Sequence, residues 1–177
     1  RLEPPVAVTA IRPDRTLGNG SPVTASRPAI VLVRPEIAGN TGSVGRTCVA
    51  LDLDLCLIRP YGFEITDRNV RRAGLDYWKH VRLCEYDSWD DFLIRRAPRP
   101  EAMFLFEEYG ARSFYNVDYT PDFHLVFGQE TLGLGKAELS GHEDRLVKLP
   151  MRSPHIRSLN LANAATAASY QALRGIL

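Results

Sequence analysis

Three stretches of this 177-residue chain place glycine and polar residues directly after short apolar runs. The first is Pro35-Glu36-Ile37-Ala38-Gly39-Asn40-Thr41-Gly42-Ser43-Val44-Gly45-Arg46. It leads into a segment whose Val44, Cys48 and Leu51 recur at helical spacing, and the free N–H groups at a helix start suit an anion. Its glycines are spaced G-x-x-G-x-x-G, which is neither the dinucleotide-binding G-x-G-x-x-G nor a P-loop. Gly133-Leu134-Gly135-Lys136 fails the P-loop spacing as well, so a nucleotide hydrolase is disfavoured. Helix capping and close packing of small residues is the competing reading of these glycines.

The second stretch, Phe127 to Gly135, sets Gly128 and Glu130 just past an apolar run. Its glycines permit close approach of another backbone or a ligand. On spacing alone, Glu130 reads equally as a helix-start residue and as a substrate contact. The third runs from Leu149-Pro150-Met151 through Ser158-Leu159-Asn160 into an Ala-rich segment. Ser158 and Asn160 read first as helix N-caps, and the alanines as packing.

A fourth cluster is of a different kind. Arg68, Arg71, Arg72, Lys79, His80 and Arg82 crowd one short segment around Tyr77 and Trp78. Basic side chains interleaved with aromatics suit phosphate contact and base stacking, and a solvated basic face is the alternative. The overall charge of +1 gives no such hint, so any RNA-binding field must come from local clustering. His124, His142 and His155 share no ligand spacing, and Cys48, Cys56 and Cys84 form no C-x-x-C pair. Hence no metal site and no structural disulfide is expected, and a reducing compartment fits.

Residues 1–27, with four prolines and Gly18-Asn19-Gly20-Ser21, show no sustained period and are expected to form a flexible tail. The domain is expected to span 28–177. Ala29–Val33 reads as a strand buried on both faces. Further strands are expected at 53–58, 81–84, 102–106, 123–127 and 146–149. Helices are expected from Asn40 to Asp52, Asp67 to Ala73, Ser88 to about Arg96, and Leu159 to Arg174. Strands alternating with helices predict an α/β fold with a mainly parallel sheet flanked by helices. The three polar loops then lie beyond carboxyl ends of strands, where such sheets bind ligands. No apolar run is long enough to span a membrane.

The order P-E-I-x-x-N-T-G-x-x-x-R, F-G-x-E-x-x-G-L, then L-P-M…S-L-N-L-x-N-A resembles the three motifs of SPOUT RNA methyltransferases. Arg71-Arg72-Ala73-Gly74-Leu75-Asp76-Tyr77 resembles the signature of the TrmL-type tRNA (cytidine/uridine-34) 2′-O-methyltransferases. The resemblance covers residues 28–174. It implies a C-terminal trefoil knot, a homodimer, S-adenosylmethionine as cofactor and the ribose of a tRNA wobble nucleotide as substrate, in the cytoplasm or an organelle. By similarity, Phe106, Gly128, Leu149 and Ser158 fall at cofactor-contacting positions, with Glu130 and Leu132 beside them. Arg46 matches an arginine linked to catalysis, Asn40 and Asn160 match pocket-shaping residues, and Tyr170 matches a tyrosine of the wobble-specific branch. Arg68, Arg71, Arg72, Lys79 and Arg82 are then the expected RNA contacts. A sister enzyme acting on another tRNA or rRNA site is the nearest alternative, and a non-catalytic RNA-binding relative a more distant one. The homodimer is expected to use the small face at Ala164, Ala165 and Ala168.

Overall fold

Ala29–Val33 (β1) is apolar at every position because both faces of the strand are covered. Alternate residues of a pleated strand point to opposite sides, and here each side has its own core. Ile30 and Leu32 pack with Val44, Cys48, Leu125 and Ala165, whereas Ala29, Val31 and Val33 pack with Tyr86, Trp89 and Phe92. The computed structural model describes residues 26–65 and 76–177. Residues 1–25 of the expected tail, and the expected helix from Asp67 to Ala73, lie outside the described residues.

Around β1 the strands Asp54–Ile58 (β2), Arg82–Tyr86 (β3), Met103–Phe106 (β4), Arg112–Ser113 (β5), His124–Phe127 (β6) and Val147–Lys148 (β7) form one sheet. Its order is β3-β2-β1-β6-β4-β7-β5, and every pairing is parallel. Parallel strands need crossovers, which place helices on the faces. These are Ala38–Ala50 (α1), Trp89–Arg95 (α2), the single turn Lys136–Leu139 (α3) and Leu161–Ala172 (α4). Ser88 caps α2 as its sequence predicts, its hydroxyl accepting from Asp91 N at 3.1 Å. β7 enters between β4 and β5, two strands laid down earlier in the chain, before α4 returns to pack on α1.

The small residues of the first loop serve α1. Tyr77 and Trp78, on the 3-10 turn Asp76–His80, lie against this helix. Tyr77 donates its hydroxyl to Gly42 O at 2.8 Å, and a Cβ on Gly45 would come within 2.5 Å of the Trp78 ring. Trp78 is therefore buried packing, not the exposed stacking surface that its basic neighbours suggested. The alanine face of α4 is likewise used within the chain. Ala165 and Ala168 are fully buried, and Thr166 Oγ1 meets Thr47 Oγ1 of α1 at 2.7 Å. The expected dimer contact through Ala165 and Ala168 is corrected accordingly: close helix approach is satisfied by α1.

The amino-terminal edge of the sheet holds a polar cluster around the buried Asp54. This carboxylate accepts from Arg82 Nε and from Arg96 Nη1, each at 2.9 Å. Arg27, at the end of the expected tail, pairs with Asp52 at 2.7 Å. Arg96 Nε donates to His124 Nε2 at 3.1 Å. Burial, then the adjacent Arg96 charge, pulls the His124 pKa down from 6.5 to about 4. A neutral folded-state imidazole stabilises the protein above pH 6.5, and that contribution is lost as pH falls towards 4. Urea denaturation of wild type should thus lose more stability between about pH 7 and pH 4.5 than His124→Gln does. Equal losses would contradict a titrating His124.

Candidate active site

The carboxyl ends of β1, β6 and β7 send out the three polar loops, and side-chain hydrogen bonds tie them together. Glu130 Oε2 accepts from Glu36 N at 2.8 Å, while Oε1 accepts from Ile37 N at 3.2 Å and Asn40 Nδ2 at 3.0 Å. A carboxylate in this place satisfies backbone donors just before α1 and a side-chain amide on its first turn, and complements the helix dipole. Asn40 is thereby inside the helix and not its cap. Its Oδ1 accepts from Asn160 Nδ2 at 2.9 Å, and Asn160 Oδ1 caps α4 by accepting from Ala162 N at 2.9 Å. Glu36 returns the contact, accepting from Thr131 N at 3.0 Å. One network thus joins all three loops.

Glu130→Ala removes an acceptor for three donors, so it is expected to cost about 1–3 kcal/mol of stability. Equilibrium unfolding measures this. A variant as stable as wild type would contradict the role of Glu130 as the tie between loops.

The second loop is folded on itself. Gln129 and Gly133 exchange backbone hydrogen bonds of 3.1 and 2.9 Å. Gly133 takes the left-handed φ of 68°, and Gly128 lies against the Gly133 backbone. Glu107, directly after β4, accepts from Leu134 N at 2.5 Å. Burial is the main reason its carboxyl pKa is raised.

Between these loops lies a cleft of about 560 Å³, a size usual for small-ligand sites. Asn40, Phe106, Gly128, Glu130, Leu132, Leu149, Ser158 and Asn160 all line it. Phe106 and Phe127 stack beneath it at 4.7 Å between ring centroids. Leu132 stands 80% exposed at its lip. Glu107, Glu108, Tyr109 and Arg157 also line the cleft, and sequence reasoning missed them. Their signal was position: the first three follow the apolar strand β4, as Gly128 follows β6.

Two expected catalytic residues do not line the cleft. Arg46 is exposed on α1, its guanidinium 5.7 Å from the Tyr77 ring centroid, and does not line the cleft. It stands one and two-thirds turns after Asn40 on that helix, or about 9 Å along the axis. Tyr170 is on the outer face of α4, beside Phe114, Tyr115 and Leu177. Of the expected RNA contacts, Arg68, Arg71 and Arg72 lie outside the described residues. Lys79 is exposed, and Arg82 is held by Asp52 and Asp54 at the opposite edge of the sheet.

The SpoU rRNA Methylase family matches residues 27–170. A relative from Burkholderia pseudomallei (strain 1106a), named tRNA (cytidine(34)-2'-O)-methyltransferase, is 41% identical over 146 residues, which are 82% of this chain and 93% of its own. A solved structure described as "Structural insights into the 2-OH methylation of C/U34 on tRNA" is 40% identical. It superposes with a TM-score of 0.76 over 86% of this chain and 97% of its own. AviRb from Streptomyces viridochromogenes, a SpoU methyltransferase solved in complex with the cofactor AdoMet, is 28% identical, with a TM-score of 0.73 over 86% of this chain and 62% of its own. This chain belongs to the SpoU methylase family, and its parallel α/β architecture is the SPOUT fold.

Proposed function

We propose that this protein transfers a methyl group from S-adenosylmethionine to the ribose 2′-hydroxyl of cytidine or uridine at position 34 of tRNA. The observation that carries this reading is the convergence of all three motif loops on one cleft, in a chain about 40% identical to proteins named for that reaction.

The cleft suits the cofactor on its own terms. Phe106, Leu149 and Leu161 offer apolar surface, Gly128 brings backbone close, and Glu107 and Glu108 place carboxylates beside a ligand that carries positive charge. S-adenosylmethionine, when bound, supplies a methyl group on a sulfonium sulfur. The chain's own residues must align that group with the incoming hydroxyl, because orientation can supply about 7–11 kcal/mol of the barrier. Glu130 contributes by fixing the loops. With three donors on its carboxylate, it is a positioning residue and not the base. Asn40 and Asn160 hold α1 and α4 in register below the cleft. Arg46 anchors phosphate or the hydroxyl, since a guanidinium stays protonated and is a poor base.

A homodimer completes the site in this reading. Arg46 and Tyr170 lie on outward faces away from the cleft of their own protomer, and a second copy can deliver them. Tyr115, Tyr170, Ile176 and Leu177 are exposed residues with apolar surface on or beside α4, so the surface for association lies on the outer face of that helix. The domain spans residues 28–177 with the preceding residues as a tail, and its place of action is that of its tRNA, the cytoplasm or an organelle. Among the described residues no group of three His, Cys, Asp or Glu is arranged to hold a metal, and transfer is expected to proceed in the presence of a chelator.

The reading is tested by mapping 2′-O-methylation in tRNA from cells with and without the gene. Loss of the modification at position 34 alone supports it. Loss at another tRNA or rRNA position would favour the sister-enzyme alternative.

A further inference from the structure

Arg157 and Glu108 meet in the lining of the cleft, at 3.5 Å between Arg157 Nε and Glu108 Oε1. They come from different loops, Glu108 from the end of β4 and Arg157 from the third polar loop, and both line the cleft. The Arg157 side chain is 72% exposed. An ion pair this open and this long holds weakly, so either partner is free to exchange at small cost.

The surroundings indicate what Arg157 exchanges for. The segment from Lys148 to Ala162 carries Lys148, Arg152, His155 and Arg157 and contains no acidic residue. Arg152, His155 and Arg157 are all exposed on it. Such a strip matches a chain of phosphates better than one small carboxylate. A guanidinium fork meets phosphate through two parallel hydrogen bonds, which is stronger than the single long contact with Glu108.

Building on the methyltransferase reading above, we propose that Arg157 is a phosphate anchor for the RNA substrate at the mouth of the cleft, held in waiting by Glu108. Binding of RNA moves the guanidinium from the Glu108 carboxylate to a backbone phosphate near the target ribose. Glu108 thus competes with the substrate for Arg157.

The test uses full-length protein, S-adenosylmethionine and a tRNA that the wild type methylates. Arg157→Ala should raise the tRNA KM about tenfold and reduce the slope of log KM against log salt by about one phosphate contact. Its cofactor affinity by calorimetry should stay within about twofold of wild type, as expected for a contact to phosphate alone. With S-adenosylmethionine saturating for each variant, Glu108→Gln should lower the tRNA KM severalfold, because the charge competing for Arg157 is gone; Arg157→Lys should recover part of the salt slope. A higher cofactor Kd with an unchanged salt slope in Arg157→Ala would overturn the proposal and assign Arg157 to the cofactor carboxylate. No change in either would overturn it too, leaving a surface ion pair. Failure of the wild type to methylate any tRNA would instead sink the functional reading on which the proposal rests.

Discussion

Gly128→Ala is expected to weaken cofactor binding severely while the sheet still forms. A Cβ at this position would lie 2.0 Å from Gly133 C, 2.2 Å from Gly133 O and 2.3 Å from Leu134 N. All three are backbone atoms, so no side-chain rotation relieves the clash. The loop must open, which breaks the paired hydrogen bonds between Gln129 and Gly133 and the contact of Leu134 N with Glu107. Overpacking of this kind costs about 1–3 kcal/mol of stability, which leaves many domains folded. The expected result is native-like circular dichroism with cofactor affinity weakened at least about a hundredfold, because the displaced loop forms one wall of the cleft. Calorimetry that found wild-type affinity would show that this wall does not contact the cofactor.

Arg46→Ala should separate binding from chemistry. Its side chain leaves α1 outside the cleft, so cofactor affinity should be unchanged. Single-turnover methyl transfer with saturating tRNA should fall by about 10²-fold, the usual loss when a reacting group is misplaced by about 1 Å. Arg46→Lys should be badly impaired as well, because an ammonium lacks the planar fork that holds two oxygens. Under the homodimer proposed above, delivery of Arg46 by a second copy would have a sharper consequence. Arg46→Ala mixed with Gly128→Ala pairs an intact cleft with an intact Arg46 in each mixed dimer. After random exchange of subunits, activity should recover to about a quarter of wild type. No recovery despite demonstrated exchange would place Arg46 in the site of its own chain.

The parallel sheet and its ligand-binding end were legible because Ala29–Val33 and Phe123–Phe127 are apolar with little alternation. Three polar loops following such strands then mark one edge. Ser88 as a cap and Asn160 as a cap could be read locally, since each bonds within three residues of itself. Glu130 could not. Its donors Glu36, Ile37 and Asn40 are 94, 93 and 90 residues away along the chain and adjacent only once β1 and β6 pair. Trp78 was ambiguous because aromatics between basic residues suit both RNA stacking and packing, and only the space above Gly45 decides for packing. The pairing of Arg157 with Glu108 could not be read from the sequence, because the two approach only through the placement of β7 beside β4. The short strand Arg112–Ser113 carries no periodic signal in two residues.

The central claim is tested most directly by transfer of labelled methyl from S-adenosylmethionine by the purified protein, with chelator present, to two tRNAs that differ by one oxygen. One carries an ordinary ribose at position 34 and the other a 2′-deoxyribose there. The expected result is one methyl per ordinary tRNA, located at the 2′-oxygen of nucleotide 34, and none on the deoxy-substituted tRNA. Equal labelling of both would contradict the claim, because the methyl would then be going to another atom.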